Sequence, residues 1–572
     1  MKKAFITIII ILFCSSNLFS QKVGDIYALD INNFFLPLDR SGKLADIDIP
    51  PIGAGGRIDG IRFLYSGGFL LSGYSNSELW ANAVASSSLI FDYLHSTYEH
   101  GTSDPRAVLY KISSSDEPFG TSWQDWIDAV ALGADFYDGD GDGIYNPIDL
   151  NSNNQWDPDE DRPDIIGDEM LWCVFHDAVP SNLRRWNTVE PQGIEVRQTV
   201  FAYSTVPELL NTIFIRYRIK NTGLVTDKMT DVYFGVWQDN DIGNSEDDLV
   251  GCDTILKGSY TFNYGTDTEF GNNPPASFAQ LLSGPLAYLP GITFIDNNFN
   301  GVYDEGIDTP LDTAYIHRGQ LFGIQEYPGA RNQPMSSAIA YINGYPQFND
   351  PDSLHVARNY MLGLMKSGEP ANPCSMPIGM VAGGIDCSEV NPLFWFSGDP
   401  VTNVGWLETV ASDTRHLINT GPFTLLQGEE IEIFAAYNVG RSTDPLSSVT
   451  KVKDISDISI QIHDCNFDPD CIVTNLELDT NVYPEDYNLY QNYPNPFNPH
   501  TVIRYQLPEN GEVTLKVYDV LGREVATLVN EFKHAGSYDV TFNAANLSSG
   551  VYFYKMQTTQ GFIQIKKMIL LR

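Results

Sequence analysis

Basic residues are scarce in this chain of 572 residues, which has 34 Lys and Arg against 73 Asp and Glu and a formal net charge of −39. This excess of negative charge repels nucleic acids and anionic membrane surfaces, so we expect no nucleic-acid partner. The acidic residues are typical of a protein that stays soluble outside the cell. They also indicate cation binding wherever they cluster.

Long apolar runs are rare as well. One apolar stretch, from Ala4 to Phe13, follows two lysines and precedes a small residue, Ser20. A charged start, a short apolar stretch and a small residue are the parts of a secretory signal peptide. The stretch is shorter than the ~20 residues of a membrane-spanning helix. We therefore predict a signal peptide at residues 1–20 and no transmembrane segment in the mature chain.

Cysteine is limited to seven residues, one of which, Cys14, falls in the predicted signal peptide. The six others form an even set, which favours disulfides in an exported chain. Closeness in sequence predicts the pairs Cys374–Cys387 and Cys465–Cys471, which leaves Cys173–Cys252. These cysteines lack the CxxC and HxxxH spacings of structural zinc sites, so the sequence does not indicate such a site.

Catalytic motifs are missing too. The nine histidines are scattered, and the chain has no HExxH sequence, GxSxG elbow or Walker loop. The paired carboxylates of a glycosidase carry no sequence signature, because they meet only in the fold. The question of enzymatic activity therefore stays open, and the missing motifs favour a protein without catalysis.

Strand-like segments dominate the chain. Residues 197–203, 212–219 and 231–237 are rich in β-branched and aromatic residues and are bounded by Pro, Gly and Asn. Helical patterns are few, and the candidates are residues 77–95, 124–132 and 444–463. Short strands separated by turn residues predict an all-β protein made of several β-sandwich domains.

The last 85 residues alternate strictly between apolar and polar residues, which places one face of each strand in a core. The predicted core faces are Ile503, Tyr505, Leu507; Val513, Leu515, Val517; Tyr538, Val540, Phe542; Tyr552, Tyr554, Met556; and Ile563, Ile565. This pattern indicates a small β-sandwich at the C-terminus.

Four segments of this region carry a family resemblance. They are YPNPFNP at 493–499, VTLKVYDVLG at 513–522, LSSGVY at 547–552 and the basic KKMI at 566–569. In this order they resemble the type A C-terminal sorting domain of the type IX secretion system of Bacteroidetes-like bacteria. The resemblance implies an Ig-like sandwich that binds the outer-membrane machinery of that system, and a location in the medium or at the cell surface.

Twelve acidic residues fall between Asp135 and Glu169, with Arg162 as the one basic residue among them. Part of this block fits the calcium-loop pattern D-x-[DN]-x-[DN]-G-x5-[DE], in which alternating side chains and one backbone carbonyl bind the ion. In the first loop the predicted ligands are Asp138, Asp140, Asp142, the carbonyl of Ile144, Asn146 and Asp149.

Two further segments repeat this spacing. The second loop supplies Asp149 again, Asn151, Asn153, the carbonyl of Gln155, Asp157 and Glu160. The third loop supplies Asp296, Asn298, Asn300, the carbonyl of Val302 and Asp304. Its twelfth position is Ile307, so either Asp308 or Glu305 must complete the third site.

The predicted ligands are all oxygen atoms, which favour Ca²⁺ over transition metals. The loops resemble those of extracellular dockerin-like and thrombospondin-type repeats, and this resemblance implies a structural role for the ion. The alternative is that each loop is a solvated acidic turn without an ion. A further acidic stretch, residues 238–253, has no template spacing and is expected to be a solvated loop.

These features divide the chain into six regions. They are a signal peptide at 1–20, a mostly β region at 21–134, tandem calcium loops at 135–169, a large β-sandwich body at 170–465 with a calcium-type loop at 296–308, a linker at 466–487 and the sorting domain at 488–572.

Two hypotheses for function follow. The first is an exported β-protein, stabilised by Ca²⁺, that has a binding, adhesive or envelope-structural role, with a glycan or a protein surface as its ligand. The second is a secreted hydrolase acting on polysaccharide or protein. The absence of catalytic motifs favours the first.

Overall fold

A computed structural model describes residues 22–84, 92–342, 345–471, 487–492, 495–508, 511–533, 536–545, 547–559 and 561–571. The chain divides into two units, Met1–Pro469 and Asp470–Arg572. The predicted signal peptide and most of the predicted linker lie outside the described residues. No helix within the described ranges has both the length and the apolar character needed to cross a membrane.

The first unit consists mainly of antiparallel strands. In chain order they are β1 Lys22–Gly24, β2 Ile26–Leu29, β3 Phe34–Asp39, β4 Gly56–Ile58, β5 Ile61–Leu64, β6 Ser66–Ser75, β7 Glu78–Val84, β8 Leu94–His95, β9 Leu109–Ser113, β10 Phe136–Tyr137, β11 Arg162–Pro163, β12 Glu169–His176, β13 Ile194–Ala202, β14 Thr212–Asn221, β15 Lys228–Asp239, β16 Leu249–Asp253, β17 Gly258–Phe262, β18 Ala276–Ser283, β19 Leu286–Tyr288, β20 Phe294–Ile295, β21 Thr309–Pro310, β22 Thr313–His317, β23 Ile324–Pro328, β24 Ala330–Asn332, β25 Met335–Ile342, β26 Gly379–Ala382, β27 Gly405–Glu408, β28 Thr414–Leu426 and β29 Glu430–Gly440.

Two large sheets form the body of this unit. The first has the strand order β1-β9-β12-β13-β14-β29-β18-β17-β16, with β8 beside β12. The second has the order β25-β28-β15-β6-β7. The three strands predicted between residues 197 and 237 are β13, β14 and β15, so the all-β sandwich prediction is confirmed.

Aromatic side chains pack between these two sheets. The ring of Phe69 in β6 lies 5.2 Å from that of Tyr217 in β14 and 6.4 Å from that of Phe175 in β12. Phe234 in β15 contacts Tyr217 at 5.3 Å. All four rings are buried, and burial of such rings is a large source of hydrophobic stabilisation. The sandwich core therefore lies between the two sheets.

Smaller sheets surround this sandwich. Strands β2 to β5 form a four-stranded sheet in chain order. Two-stranded sheets pair β10 with β11, β19 with β24, β20 with β21, β22 with β23, and β26 with β27. Two of these short pairs, β10–β11 and β20–β21, enclose the acidic segments.

Three α-helices occur among the described residues of this unit: α1 Thr121–Ala131, α2 Leu354–Met361 and α3 Pro445–Asp464. Short 3-10 helices lie at Ser181–Leu183, Pro207–Leu209, Ser245–Asp247 and Cys387–Glu389. Helix α3 begins where the Asp444 carboxylate accepts the backbone N–H of Ser447 at 3.0 Å, an N-cap that satisfies one free donor. Its apolar face, which includes Val449 and Val452, packs on β18 and β29.

The predicted helices at 124–132 and 444–463 correspond to α1 and α3. The helix predicted within residues 77–95 is wrong for its first part, because Glu78–Val84 is strand β7, and residues 85–91 lie outside the described residues. This strand pairs with β6 along its whole length, and residues 80–84 are buried. Tertiary pairing thus overrides the helical pattern there.

The second unit is a smaller sandwich of two sheets. Its strands are β30 Asn488–Leu489, β31 His500–Leu507, β32 Gly511–Asp519, β33 Glu524–Lys533, β34 Gly536–Asn543, β35 Gly550–Thr558 and β36 Ile563–Leu570. The sheets have the orders β30-β31-β34 and β33-β32-β35-β36, and side chains of both form one buried core.

One predicted core face of this unit is wrong. Ile563 and Ile565 in β36 are exposed, whereas Met568 and Leu570 in the same strand are buried. Because alternate residues of a strand point to opposite faces, burying Met568 and Leu570 turns Ile563 and Ile565 outward.

The cysteine predictions are confirmed in part. Cys374 and Cys387 form a disulfide, and Cys465 and Cys471 are also disulfide-bonded. The predicted pair Cys173–Cys252 is wrong, because both cysteines are free and buried in the core. Burial raises the pKa of both thiols, which keeps them protonated.

Candidate metal centre

The three predicted loops occupy two hairpin-like insertions. The first two loops connect β10 to β11, whose residues Phe136 and Pro163 pair at the base of the insertion. The third connects β20 to β21, where Phe294 and Pro310 pair in the same way. Each acidic segment therefore begins and ends at a short antiparallel ladder that fixes its two ends.

The second loop shows the arrangement most completely. The Asp149 carboxylate accepts the backbone N–H groups of Asn153 at 3.1 Å and Asn154 at 2.8 Å. The Glu160 carboxylate accepts those of Leu150 at 2.7 Å and Asp157 at 3.0 Å. Leu150 and Asp157 are the second and ninth residues of the loop, so the Glu160 carboxylate joins these two positions. Glu160 is buried.

The third loop repeats this arrangement. The Asp308 carboxylate accepts the backbone N–H groups of Asn297 and Asp304, both at 2.8 Å. These are again the second and ninth positions. Asp308, and not Glu305, is therefore the residue in the place of Glu160.

In the first loop the equivalent carboxylate belongs to Asp161. It accepts the backbone N–H groups of Gly139 at 2.9 Å and Asn146 at 2.7 Å. Ligand atoms of Asp138, Asp140 and Asp161 lie within 4.8 Å of one another. Asp149, which the sequence assigns to both loops, accepts N–H groups of the second loop.

Asp161 is the residue that sequence reasoning missed. It lies outside the twelve-residue pattern, because the whole second loop is inserted between the ninth position of the first loop and its closing carboxylate. The signal for it is the pair Glu160-Asp161, two adjacent acids after two tandem loops. Each acid closes one loop.

The amide side chains add a second common feature. In the second loop, Asn151 and Asn153 donate to the Asp157 carboxylate at 2.7 and 2.8 Å. The matching bonds of the third loop run from Asn298 and Asn300 to Asp304, both at 2.7 Å. In these two loops the side chains of the first, third, fifth and ninth positions therefore turn toward the inside.

The backbone of the three loops follows one course. At the fourth and sixth positions φ is positive in every loop, which is the left-handed region that favours Gly and Asn. These residues are Gly141, Gly143, Ser152, Asn154, Phe299 and Gly301. The seventh residues Ile144 and Val302 expose their side chains, as expected for positions that contribute only a backbone carbonyl.

Electrostatics in the first loop favour a cation. A hydrogen bond from the backbone of Asp142 lowers the pKa of Asp140, but partial desolvation and the nearby carboxylates of Asp142, Asp161 and Asp138 outweigh it. The net effect raises the pKa of Asp140 above its usual value. A divalent ion among these carboxylates relieves their repulsion. The all-oxygen donor set fits Ca²⁺.

The acidic stretch at 238–253 has a different character. Ligand atoms of Asp239, Asp241 and Asp413 lie within 4.8 Å of one another. Arg415 approaches Asp239 at 3.3 Å, and Arg62 approaches Asp241 at 3.0 Å. Arginine side chains thus compensate these acids, which favours a network of ion pairs over a cation site.

A cleft of about 780 Å³ lies beside the third loop, and Gly301, Val302 and Tyr303 of that loop line it. Tyr288 and Tyr327 line it as well, and the rings of Tyr288 and Tyr303 stack 5.6 Å apart at 17°. Three tyrosines therefore meet in one cleft.

Three of the four acidic side chains that line this cleft are paired with arginines, in the pairs Arg358–Asp231, Arg197–Glu430 and Arg218–Glu432, and the fourth acid is Glu429. Glu432 accepts the Arg218 Nε–H through Oε2 at 2.7 Å. Its other oxygen, Oε1, is buried and has no hydrogen-bond partner among the described residues. Arginines therefore offset most of the negative charge in the lining of the cleft.

Comparison with known families identifies the C-terminal region. Residues 491–571 match the profile of the secretion system C-terminal sorting domain. The sorting-domain prediction is thereby confirmed: the chain is exported by the type IX system to the cell surface or the medium, and this region interacts with the secretion machinery. No curated protein matches the chain.

Three solved structures resemble parts of the chain. A polysaccharide lyase is 6% identical with a TM-score of 0.19, over 66% of this chain and 34% of that one. Dimeric latent PorU from Porphyromonas gingivalis is 9% identical with a TM-score of 0.14, over 70% and 31%. CopC from Methylosinus trichosporium OB3b is 16% identical with a TM-score of 0.12, over 15% and 91%. The chain spans about a third of the lyase. TM-scores this low assign no function.

Proposed function

We propose that the body of this exported chain is a calcium-stabilised binding protein that holds a surface glycan in the tyrosine-lined cleft. The observation that carries the proposal is the arrangement common to the three acidic loops. In each, a buried carboxylate joins the second and ninth positions, and the third of these loops forms one wall of the cleft.

Calcium is the ion that this arrangement supports best. The ligand atoms are carboxylate, amide and carbonyl oxygens, and histidine and cysteine are absent from the three loop sequences. Calcium is abundant outside the cell, where even weak sites with Kd of about 10⁻⁴–10⁻³ M fill. The role is structural, because each ion fixes a loop between two paired strands.

The lining of the cleft supports a glycan as the ligand. Tyrosine rings offer flat apolar faces on which a sugar packs, and their hydroxyl groups form hydrogen bonds at the edge. Because arginines neutralise most of the acids, a neutral polyol suits this cleft better than a strongly basic peptide does.

Binding to a panel of purified polysaccharides tests the proposal. The mature chain should bind at least one of them saturably in millimolar Ca²⁺, and EGTA should weaken binding because the third loop forms part of the cleft. Tyr303→Ala and Tyr288→Ala should abolish binding. Tyr264→Ala is the matched control, because Tyr264 is an exposed tyrosine that does not line the cleft.

Two outcomes would contradict the proposal. Equal binding by the Tyr303→Ala and Tyr264→Ala chains would remove the cleft as the binding site. Degradation of a polysaccharide or protein, lost on replacing one carboxylate, would favour a secreted hydrolase.

A further inference from the structure

Two histidines from distant parts of the sequence lie side by side in the first unit. His317 is the last residue of β22, and His463 lies in the final turn of α3. Their ring centroids are 4.2 Å apart, with the rings tilted by 51°. Asp464 follows His463, and the three residues offer ligand atoms that lie within 4.8 Å of one another.

The hydrogen bonds of His463 leave one nitrogen free. Its Nδ1 lies 3.0 Å from the Asp464 carboxylate, which can only accept, so the proton is on Nδ1. The other nitrogen, Nε2, then carries a lone pair. This Nε2 is buried and has no hydrogen-bond partner among the described residues.

His317 presents the same feature. Its Nδ1 is buried and has no hydrogen-bond partner in the described part of the chain. The pair therefore brings two uncompensated imidazole nitrogens into one place, beside a carboxylate. Two such nitrogens on rings only 4.2 Å apart, next to a carboxylate, form a cluster with the donor atoms of a metal site.

We propose that His317 and His463 bind a divalent transition-metal ion, with Zn²⁺ as the best match, and that Asp464 orients the His463 ring from its other nitrogen. Imidazole nitrogens select zinc-like ions over Ca²⁺, so this site is chemically distinct from the oxygen-lined loops. A carboxylate bonded to the second nitrogen of a metal-binding histidine is the usual means of fixing its ring and tautomer. Solvent or a ligand group completes the coordination.

The surroundings hold the site in place. Phe434 and Phe467 pack against the His463 ring, at 5.7 and 5.6 Å between centroids. Asn466 bonds to the backbone of Gly319 in both directions, at 3.0 Å to its N–H and 2.6 Å to its carbonyl. The hairpin of β22 and β23 is thus already docked on the end of α3. The ion joins the same two elements.

Titration of the metal-free mature chain with Zn²⁺ tests this proposal. Saturating Ca²⁺ is present throughout, so that the acidic loops are occupied. Calorimetry should find that His317→Ala binds one Zn²⁺ fewer than wild type. Co²⁺ should give the visible absorption of nitrogen-ligated cobalt in wild type and lose it in this variant. The matched control His355→Ala removes an exposed histidine of α2 and should behave as wild type does.

His317→Ala is the main test because His317 is only partly buried, so its replacement should disturb the fold less than that of the buried His463. Asp464→Asn keeps the side-chain shape and should weaken zinc binding by roughly 10–100-fold, the effect expected of a carboxylate that fixes a ligand histidine. Equal zinc stoichiometry and equal cobalt absorption in the wild-type and His317→Ala chains would overturn the proposal. So would a wild-type chain that binds no Zn²⁺.

Discussion

The carboxylate of Asp161 accepts the backbone N–H of Asn146, fifteen residues earlier, at 2.7 Å. This contact makes the two tandem loops one nested unit, because the second loop lies entirely between the two residues. The first loop is therefore complete only when the second has folded. The two sites of this insertion should respond together to changes at its base.

Replacing Asp161 tests this relationship. In Asp161→Asn one acceptor oxygen becomes an NH₂ group facing the N–H donors of Gly139 and Asn146. The calcium affinity of the first loop should fall roughly 10–100-fold. Calorimetry of Ca²⁺ binding measures the effect. Asp159→Asn removes an exposed acid two residues away and should change little. A similar loss in both variants would contradict the closing role of Asp161.

Removal of calcium should lower the melting temperature of the first unit. An ion bound only by the folded chain stabilises it by mass action, by about 2.7 kcal/mol per site at 100 times Kd. Scanning calorimetry in millimolar Ca²⁺ and in EGTA compares the two states, with Mg²⁺ as the control ion. Identical melting temperatures in all three buffers would be incompatible with structural calcium.

The sequence predicts the local part of each site better than the part that depends on the fold. Alternating acids and positive-φ residues lie within a few positions of each other, so their spacing indicates the loop directly. Asp161, by contrast, meets Asn146 across an inserted loop, and His317 meets His463 only because a hairpin docks on α3. The sequence shows no signal for the contact of His317 with His463, and for Asp161 it shows only the adjacent acids Glu160-Asp161.

The sequence likewise predicts strands whose own residues favour a sheet, and it misses a strand that depends on pairing with a neighbour. Strands β13 and β14 are visible in the sequence, because their β-branched and aromatic residues suit a sheet that is buried on both sides. Strand β7 cannot be recognised from the sequence, since the apolar residues of Glu78–Val84 are equally compatible with a helix. Pairing with β6, which the sequence cannot show, decides its conformation.

Export should depend on the C-terminal unit. Deleting residues 488–572 should leave the protein in the periplasm of its host, because the type IX machinery then has no sorting domain to recognise. Cell fractionation with an antibody to the first unit measures this. As a complementary control, the same residues fused to a periplasmic carrier should direct that carrier out of the cell. Normal export of the truncated chain would refute the prediction.

The two free cysteines should be unreactive in the folded chain. Cys173 and Cys252 are buried, and burial raises the pKa of both thiols, so neither thiolate nor access is available to a reagent. Thiol labelling of the mature chain should therefore be negligible before unfolding and reach two groups after it. Rapid labelling of the native chain would show that this part of the core opens.

Acid should destabilise the first unit through His416. This histidine is fully buried in β28, and its Nε2 donates to Asn240 Oδ1 at 2.7 Å. Burial lowers the pKa of His416 from 6.5 to about 3. The unfolded chain therefore binds a proton at a higher pH than the folded chain does. Stability is lost as the pH falls below 6.5, and the loss is complete below 3.

The expected loss from this single group is about 2 kcal/mol between pH 7 and pH 5, at about 1.4 kcal/mol per pKa unit. His416→Gln retains an N–H donor for Asn240 and cannot be protonated, so it should remove this part of the pH dependence. Denaturant unfolding at both pH values gives the two free energies. His355→Gln replaces an exposed histidine and should keep the wild-type pH dependence. If the His416→Gln chain also keeps the wild-type pH dependence, protonation of His416 does not cause the loss of unfolding free energy in acid.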